Sequence, residues 1–339
     1  MSGVVAAVLA AAVAASWVLT GTIRRYALAR SLLDVPNHRS SHTAPTPRGG
    51  GLAIAAVSLL GIAALHAAGM VPPAAAYALL PGGAAIAAVG WVDDRRHVPA
   101  RWRFLVHLAA AGWALYWAGG LPSLSLGTAS VRLGIAGTVA GALGIVWLTN
   151  LYNFMDGIDG IAAGEALAAG AAAGLLLWAA GAPGLGAAAL LVAAASTGFL
   201  VWNWSPARIF MGDAGSGYLG YVFAVLALFS ERQGGLPLLL WGVLLGVFLF
   251  DSTVTLLRRV LRGERFFEAH RRHAYQRAVQ SGLSHGRVSG GVLATNLVLA
   301  GAAAFAWTQR ALILPVAAMS LALLLALYLW VERRRPMWD

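Results

Sequence analysis

Eleven apolar runs divide this chain, most of them at least 18 residues long, and no other feature limits its fold so strongly. They lie near residues 3–23, 50–68, 74–92, 104–119, 132–149, 161–180, 184–203, 216–230, 236–257, 289–307 and 311–331. Inside a bilayer no water meets the backbone N–H and C=O groups. Only helices and closed barrels can therefore cross it, and a run of about 20 residues is the length of a helical span. The pattern predicts an all-α polytopic integral membrane protein with about eleven transmembrane helices. Residues 1–339 read as one unit without a separate soluble domain. Gly and Pro punctuate the runs, as at Pro72-Pro73 and Gly119-Gly120.

Charge sets the expected orientation. All 24 basic residues are Arg. With the N-terminus outside, the inside segments carry 21 of them and the outside segments only Arg132, Arg232 and Arg310. That bias predicts a periplasmic N-terminus and a cytoplasmic C-terminus. The first apolar run has no basic residue ahead of it, which argues for a span and against a cleaved signal peptide. Trp91, Trp102, Trp202, Trp204 and Trp330 stand near run ends, where the interface favours indoles. A net charge of +11 would suggest nucleic acid in a soluble chain. Here it points to the lipid bilayer and to phosphorylated substrates, with no nucleic-acid partner. Cysteine is absent, so disulfides and Cys-based zinc sites are excluded.

The acids follow the Arg. Of 13 carboxylates only Glu231 falls clearly outside, so an active site is expected on the cytoplasmic face. The stretch NLYNFMDGIDG, 150–160, spaces Asn153, Asp156 and Asp159 three apart, which on a helical turn would put all three on one face. An amide oxygen and carboxylates are hard ligands of the kind Mg²⁺ takes. A Gly-rich turn with polar caps is the plainer alternative. Asp93-Asp94 precede Arg95, Arg96, Arg101 and Arg103. Adjacent acids repel unless a cation bridges them, and Mg²⁺ or a nearby Arg would serve. In NWSPARIFMGDAGSG, 203–217, Asp213 and Ser216 sit at a helix start, as a metal–phosphate site or as a cap.

Three further segments stand out. DVPNHRSSHTAPTPRGGG, 34–51, offers His38, Arg39, His42, Arg48 and the backbone N–H groups of Gly49 to Gly51 to an anion, or is simply a solvated basic loop. Asp251, Thr255 and Arg258 share a helical face, with Asp251 expected to play a structural role and pair an Arg. In ERFFEAHRRHAYQR, 264–277, His270 and His273 could share a face and, with Arg271, Arg272 and Arg277, donate to pyrophosphate oxygens. The alternative is a basic segment lying on anionic lipid.

In this order the PRGGG loop (Pro47 to Gly51), Asp93-Asp94, NFMDGIDG (Asn153 to Gly160), IFMGDAGS (Ile209 to Ser216) and HRRHAYQR (His270 to Arg277) resemble the polyprenyl-phosphate N-acetylhexosamine-1-phosphate transferases. That superfamily also contains the enzyme that forms lipid I. The resemblance implies a Mg²⁺-dependent enzyme (with Mn²⁺ as a substitute) of the bacterial inner membrane. It would transfer N-acetylhexosamine-1-phosphate from a UDP-N-acetylhexosamine to undecaprenyl phosphate, releasing UMP and initiating O-antigen or another envelope polysaccharide. It implies Asn153 and Asp213 at the metal, and Asp93 and Asp94 near metal and lipid phosphate. Asp156 and Asp159 would hold the nucleotide end. Arg48, Gly49, Arg103, His270, Arg271 and His273 would contact substrate, with Asp251 and Ser216 behind them. A homodimer is implied at family level only.

Two departures bear on this. Arg103 stands where family members commonly carry Lys, and the two His are separated by two Arg. The second departure resembles the polysaccharide-initiating members more than the lipid I branch. GlcNAc and 6-deoxy sugars such as FucNAc or QuiNAc are the expected donors, with phospho-MurNAc-pentapeptide transfer as the alternative. A transporter would carry inverted repeats and midplane charges, and neither is evident. A scaffold needs no such array of Asp, and the signature of the CDP-alcohol phosphotransferases is absent.

Overall fold

The computed structural model describes residues 3–36, 44–233, 235–265 and 270–338. His38, Arg39 and His42 lie outside them. Among the described residues there are thirteen α-helices: α1 Gly3–Ala29, α2 Leu52–Ala67, α3 Pro73–Arg95, α4 Ala100–Ala118, α5 Gly134–Met155, α6 Ile161–Ala179, α7 Pro183–Asn203, α8 Asp213–Arg232, α9 Leu238–Leu244, α10 Gly246–Leu261, α11 Ala274–Gln280, α12 His285–Thr308 and α13 Ile313–Arg334. Two short antiparallel pairs, β1 Leu33–Asp34 with β2 Thr46–Pro47 and β3 Ser123–Ser125 with β4 Ser130–Arg132, join helices without forming a core.

Every predicted apolar run falls on a helix. Among the described residues eight helices are long and apolar enough to span a membrane, and a ninth span forms if α9 and α10 count as one. The run near 236–257 was expected as a single helix, but the chain bends by 84° between α9 and α10. The remaining two runs fall short of the spanning measure. α2 has only 16 residues. α4 carries Arg101, Arg103 and His107 in its first half. Pro at the first position starts α3 and α7, where its missing N–H is not needed.

Buried positions concentrate on α8, which is 94% buried along its apolar length, while α1 is 22% buried and α12 and α13 are 28% buried. α8 packs chiefly on α3 and α5, and also on α2, α4 and α7. Tyr221 of α8 donates to the carbonyls of Ala78 in α3 (2.9 Å) and Ala110 in α4 (3.3 Å), which satisfies its hydroxyl inside the bundle. α6 packs on α7 through Ala and Gly faces, and small residues of this kind let helix backbones approach. The outer surfaces carry exposed apolar side chains such as Leu143, Leu321, Leu325 and Trp330, which suits contact with lipid rather than water. This is a multi-pass membrane protein.

Candidate active site

α8 begins at a convergence of α2, α3 and α5, and the sequence explains why they can meet. Gly50 and Gly51 donate to the carbonyls of Phe210 (3.0 Å) and Met211 (2.9 Å), so the PRGGG loop lies flat on the segment before α8. A Cβ on Gly51 would stand 2.5 Å from Gly215 Cα. These N–H groups were expected to be open to an anion; they are engaged in holding the two segments together. Arg48, expected at substrate, donates through Nη2 to the backbone carbonyl of Asp94. Gly49 sits at φ +92° against Trp91.

Asp94 is buried and accepts from the backbone N–H groups of Asp213 (3.0 Å) and Ala214 (3.3 Å). It therefore caps α8, satisfying donors that a helix start leaves unpaired. Asp213 is the first residue of α8 and does not cap it. Its side chain meets Arg103 Nη1 at 3.0 Å and Asn153. The same Arg103 Nη1 pairs with Asp93, whose other oxygen accepts from Val98 N at 2.7 Å. Arg103 is thus the cation between two acids that would otherwise repel. Asn153 Nδ2 donates to Ser216 Oγ (3.0 Å), and Ser216 donates to the carbonyl of Gly212 (3.0 Å).

Asn153, Asp156 and Asp159 do not share a face. α5 ends at Met155, Asp156 is its C-cap, and Gly160 at φ +75° redirects the chain. Asp156 turns toward Gly212, Asp213 and Asp94. Burial, and then the negative charges of Asp213 and Asp94, push its carboxyl up to about 8. Asp159 turns the other way. Its carboxylate faces His285 Nδ1 at 3.2 Å and accepts from Ala207 N at 3.2 Å. Burial alone would raise its pKa, but the bonds from His285, Ala207 and Ser205 hold it below the usual carboxylate range.

The segment with the two His is tied to this centre by α11. Asp251 accepts from Ala274 N (2.8 Å), Tyr275 N (3.1 Å) and Thr255 Oγ1 (3.0 Å), and lies 3.4 Å from His273 Nδ1. Asp251 does not pair an Arg, because Arg258 pairs with Glu332 instead. Tyr275 then donates to the carbonyl of Phe154 at 3.0 Å, seating the segment on the turn that carries Asp156. His270 and His273 precede α11 rather than sharing its face, with ring centroids 4.9 Å apart. Burial, then the charges of His273, Arg259 and Arg272, push His270 down to about 3, so it is neutral at ordinary pH. Arg271 is exposed. Arg272 pairs with Glu264, and buried Arg277 with Glu332.

Asp93, Asp94, Asn153, Asp156, Asp213 and Ser216 are thereby gathered with Arg103 and Arg48 at the start of α8, and Asp159 is set apart. Arg103, Asn153 and Asp213 line a pocket of about 40 Å³ together with His107 and Asn150, which hydrogen-bond each other at 3.2 Å. Neither His107 nor His285 was anticipated; their partners lie 43 and 126 residues away, beyond any spacing rule. Among the described residues no three His, Cys, Asp or Glu side chains form a ready-made metal cage. The donor set still fits Mg²⁺, which binds one or two carboxylates and takes its other ligands from phosphates and water. The crowding that raises Asp156 is what a divalent cation would relieve.

Residues 76–231 match the model of glycosyl transferase family 4. The chain is 30% identical over 275 residues to the "Probable undecaprenyl-phosphate N-acetylglucosaminyl 1-phosphate transferase" of Bacillus subtilis, covering 79% of this chain and 75% of that protein. It is also 30% identical to the decaprenyl-phosphate N-acetylglucosaminephosphotransferase of Mycobacterium tuberculosis, over 79% of this chain and 74% of the relative. Identity to the undecaprenyl-phosphate alpha-N-acetylglucosaminyl 1-phosphate transferase of Escherichia coli K12 is 26%, over 77% and 72%.

Proposed function

This chain belongs to the polyprenyl-phosphate N-acetylhexosamine-1-phosphate transferases of glycosyl transferase family 4, and on that premise we propose that it transfers N-acetylglucosamine-1-phosphate from UDP-GlcNAc to undecaprenyl phosphate. The observation that carries the reading is the cluster Asp93, Asp94, Asp156 and Asp213 at the first turn of α8, with Arg103 bridging Asp93 and Asp213. UDP-GlcNAc as donor is supported by the relatives' names. The product, undecaprenyl-diphospho-GlcNAc, would start an O-antigen or similar envelope polysaccharide.

The phosphate oxygen of the lipid attacks the sugar-bearing phosphorus of the donor. A new P–O bond forms, the bond to the UMP oxygen breaks, and UMP leaves. A phosphate monoester has its second pKa near roughly 6, so the acceptor is largely dianionic at neutral pH and needs no strong base. The barrier is the approach of two anions. Bound Mg²⁺, held by Asp213 and Asn153, would supply charge neutralisation at the diphosphate. Arg103 holds Asp93 and Asp213 in register. Neutral His270, with His273 and exposed Arg271, donates to diphosphate oxygens. Asp94 keeps α8 in place, and Asp156 completes the acidic wall. We place the reaction on the cytoplasmic face of the inner membrane, with the N-terminus outside.

The test is UMP release by purified protein with undecaprenyl phosphate, Mg²⁺ and a panel of UDP-sugars, beside Asp213→Asn. Lipid- and metal-dependent UMP from UDP-GlcNAc, lost in the variant, supports the proposal. UMP release without lipid acceptor would favour a covalent phospho-Asp intermediate over direct attack.

A further inference from the structure

The chain leaving α13 folds back over the arginine-rich segment 258–277. Glu332, near the end of α13, pairs with Arg258 through two bonds (2.7 and 2.9 Å) and with Arg277 Nη1 at 2.5 Å. Its Oε1 also accepts from Met337 N at 3.3 Å. Arg277 reaches on to the carbonyl of Arg335 (2.9 Å), and Met337 is buried beside Tyr328. These contacts turn the chain so that the Trp338 ring lies under three guanidiniums, Arg262 at 4.0 Å, Arg258 at 5.0 Å and Arg272 at 5.6 Å. The indole Nε1 donates to Glu264 Oε1 at 3.0 Å. That carboxylate also pairs with Arg272 and, at 2.9 Å, with Arg259.

An interfacial Trp would normally point one end to lipid and one to water. Here both the ring face and the N–H are taken by protein. Three like charges gather over one ring; Glu264 answers Arg272 and Glu332 answers Arg258, and Arg262 is the guanidinium nearest the ring. The ring's quadrupole supplies the remaining attraction. Glu264 and Arg272 stand on either side of residues 266–269, and Arg272 directly precedes His273.

We infer that Arg335–Trp338 is a strap that fixes the His270–His273 segment, with Trp338 as its positioning residue. This rests on the reading above that the segment receives the donor diphosphate. Trp338 itself touches no substrate.

The experiment uses the full chain in lipid nanodiscs, with Trp338→Leu and Trp338→Phe. Phe keeps a ring face for the guanidiniums and loses only the N–H donor. Trypsin cleavage after Arg271 and Arg272 should quicken about tenfold in the Leu variant and about threefold or less in the Phe variant, as expected when cation–π contacts are lost or kept. The KM for UDP-GlcNAc should rise about tenfold in the Leu variant, with a smaller change in kcat, since a loosened segment weakens donor binding first. Thermal unfolding of the helices should not move. Unchanged cleavage in the Leu variant, or a Phe variant as damaged as Leu, overturns the strap. A fall in Tm with cleavage throughout the chain overturns it too, because Trp338 would then be a general stabiliser. Quicker cleavage with an unchanged KM keeps the strap but removes the segment from donor binding, and the trypsin result stands even if no sugar yields UMP.

Discussion

Gly51→Ala tests whether the first turns of α2 and α8 must touch for the site to exist. The new methyl would lie 2.5 Å from Gly215 Cα and 3.0 Å from Gly215 N. Carbon atoms rest at about 3.5–4.0 Å, so the two turns must part by about 1 Å. The methyl would also lie 2.6 Å from Met211 Cγ, which can turn away, but the two Gly215 atoms belong to backbone, so a rotamer change cannot absorb the whole shift. Overpacking of this kind costs about 1–3 kcal/mol of stability. The larger effect is on chemistry. Gly215 is two residues from Asp213, so the displacement is passed to the carboxylate that meets Arg103. A misplacement of about 1 Å can cost about a hundredfold in rate. We expect kcat for UMP release to fall by about that factor while Tm drops only a few degrees. Gly112→Ala is the control, because Gly112 is exposed on α4 and nothing lies within 4 Å of its Cβ position. It should be neutral, or stabilising by up to about 1 kcal/mol through helix propensity. Gly51→Ala with activity within about twofold of wild type, or Gly112→Ala equally inactive, would refute the reasoning.

Arg103→Lys keeps the charge but moves it to the end of a shorter side chain, away from the point where a single guanidinium nitrogen, Nη1, now meets both Asp93 and Asp213. UMP release should drop about ten- to a hundredfold, and retention of full rate would show that charge alone suffices. Asp94→Asn leaves only one acceptor oxygen for the N–H groups of Asp213 and Ala214, so the variant should lose activity and about 1–2 kcal/mol of stability, read as a lower Tm. His270 is held neutral down to about 3, so the unfolded chain binds the extra proton between that value and the ordinary pKa of about 6.5. Its contribution is therefore whole above about 6.5 and is lost as the pH falls below it. His270→Gln should lose less stability than wild type between pH 6.5 and pH 4, and parallel denaturation curves would contradict this.

The helices were legible in the sequence because a bilayer leaves the backbone so few options. The bend between α9 and α10 was not, since no proline marks Leu245 and apolar residues continue on either side of it. The motifs pointed to most of the residues that meet at α8, but not to how they are joined. Asp94 looked like half of a repelling pair, yet it caps a helix whose start lies 119 residues further on. The glycines of PRGGG read as anion donors because their loop adjoins a helix start. Their actual partners, the carbonyls of Phe210 and Met211, carry no side-chain signature. Asp159 and Asp156 were grouped by a helical spacing that fails where α5 ends at Met155.

Among the described residues α8 is the least apolar of the eight spanning helices and the most enclosed. A segment that never meets hydrocarbon need not be chosen for solubility in it, and this one carries Asp213, Ser216, Tyr218 and Tyr221. The same freedom means it has little reason to enter a membrane alone. α3 and α5, which line most of its surface, come earlier in the chain. Synthesis from the N-terminus therefore completes the walls before α8 arrives, and the polar end of the helix enters a chamber made of protein.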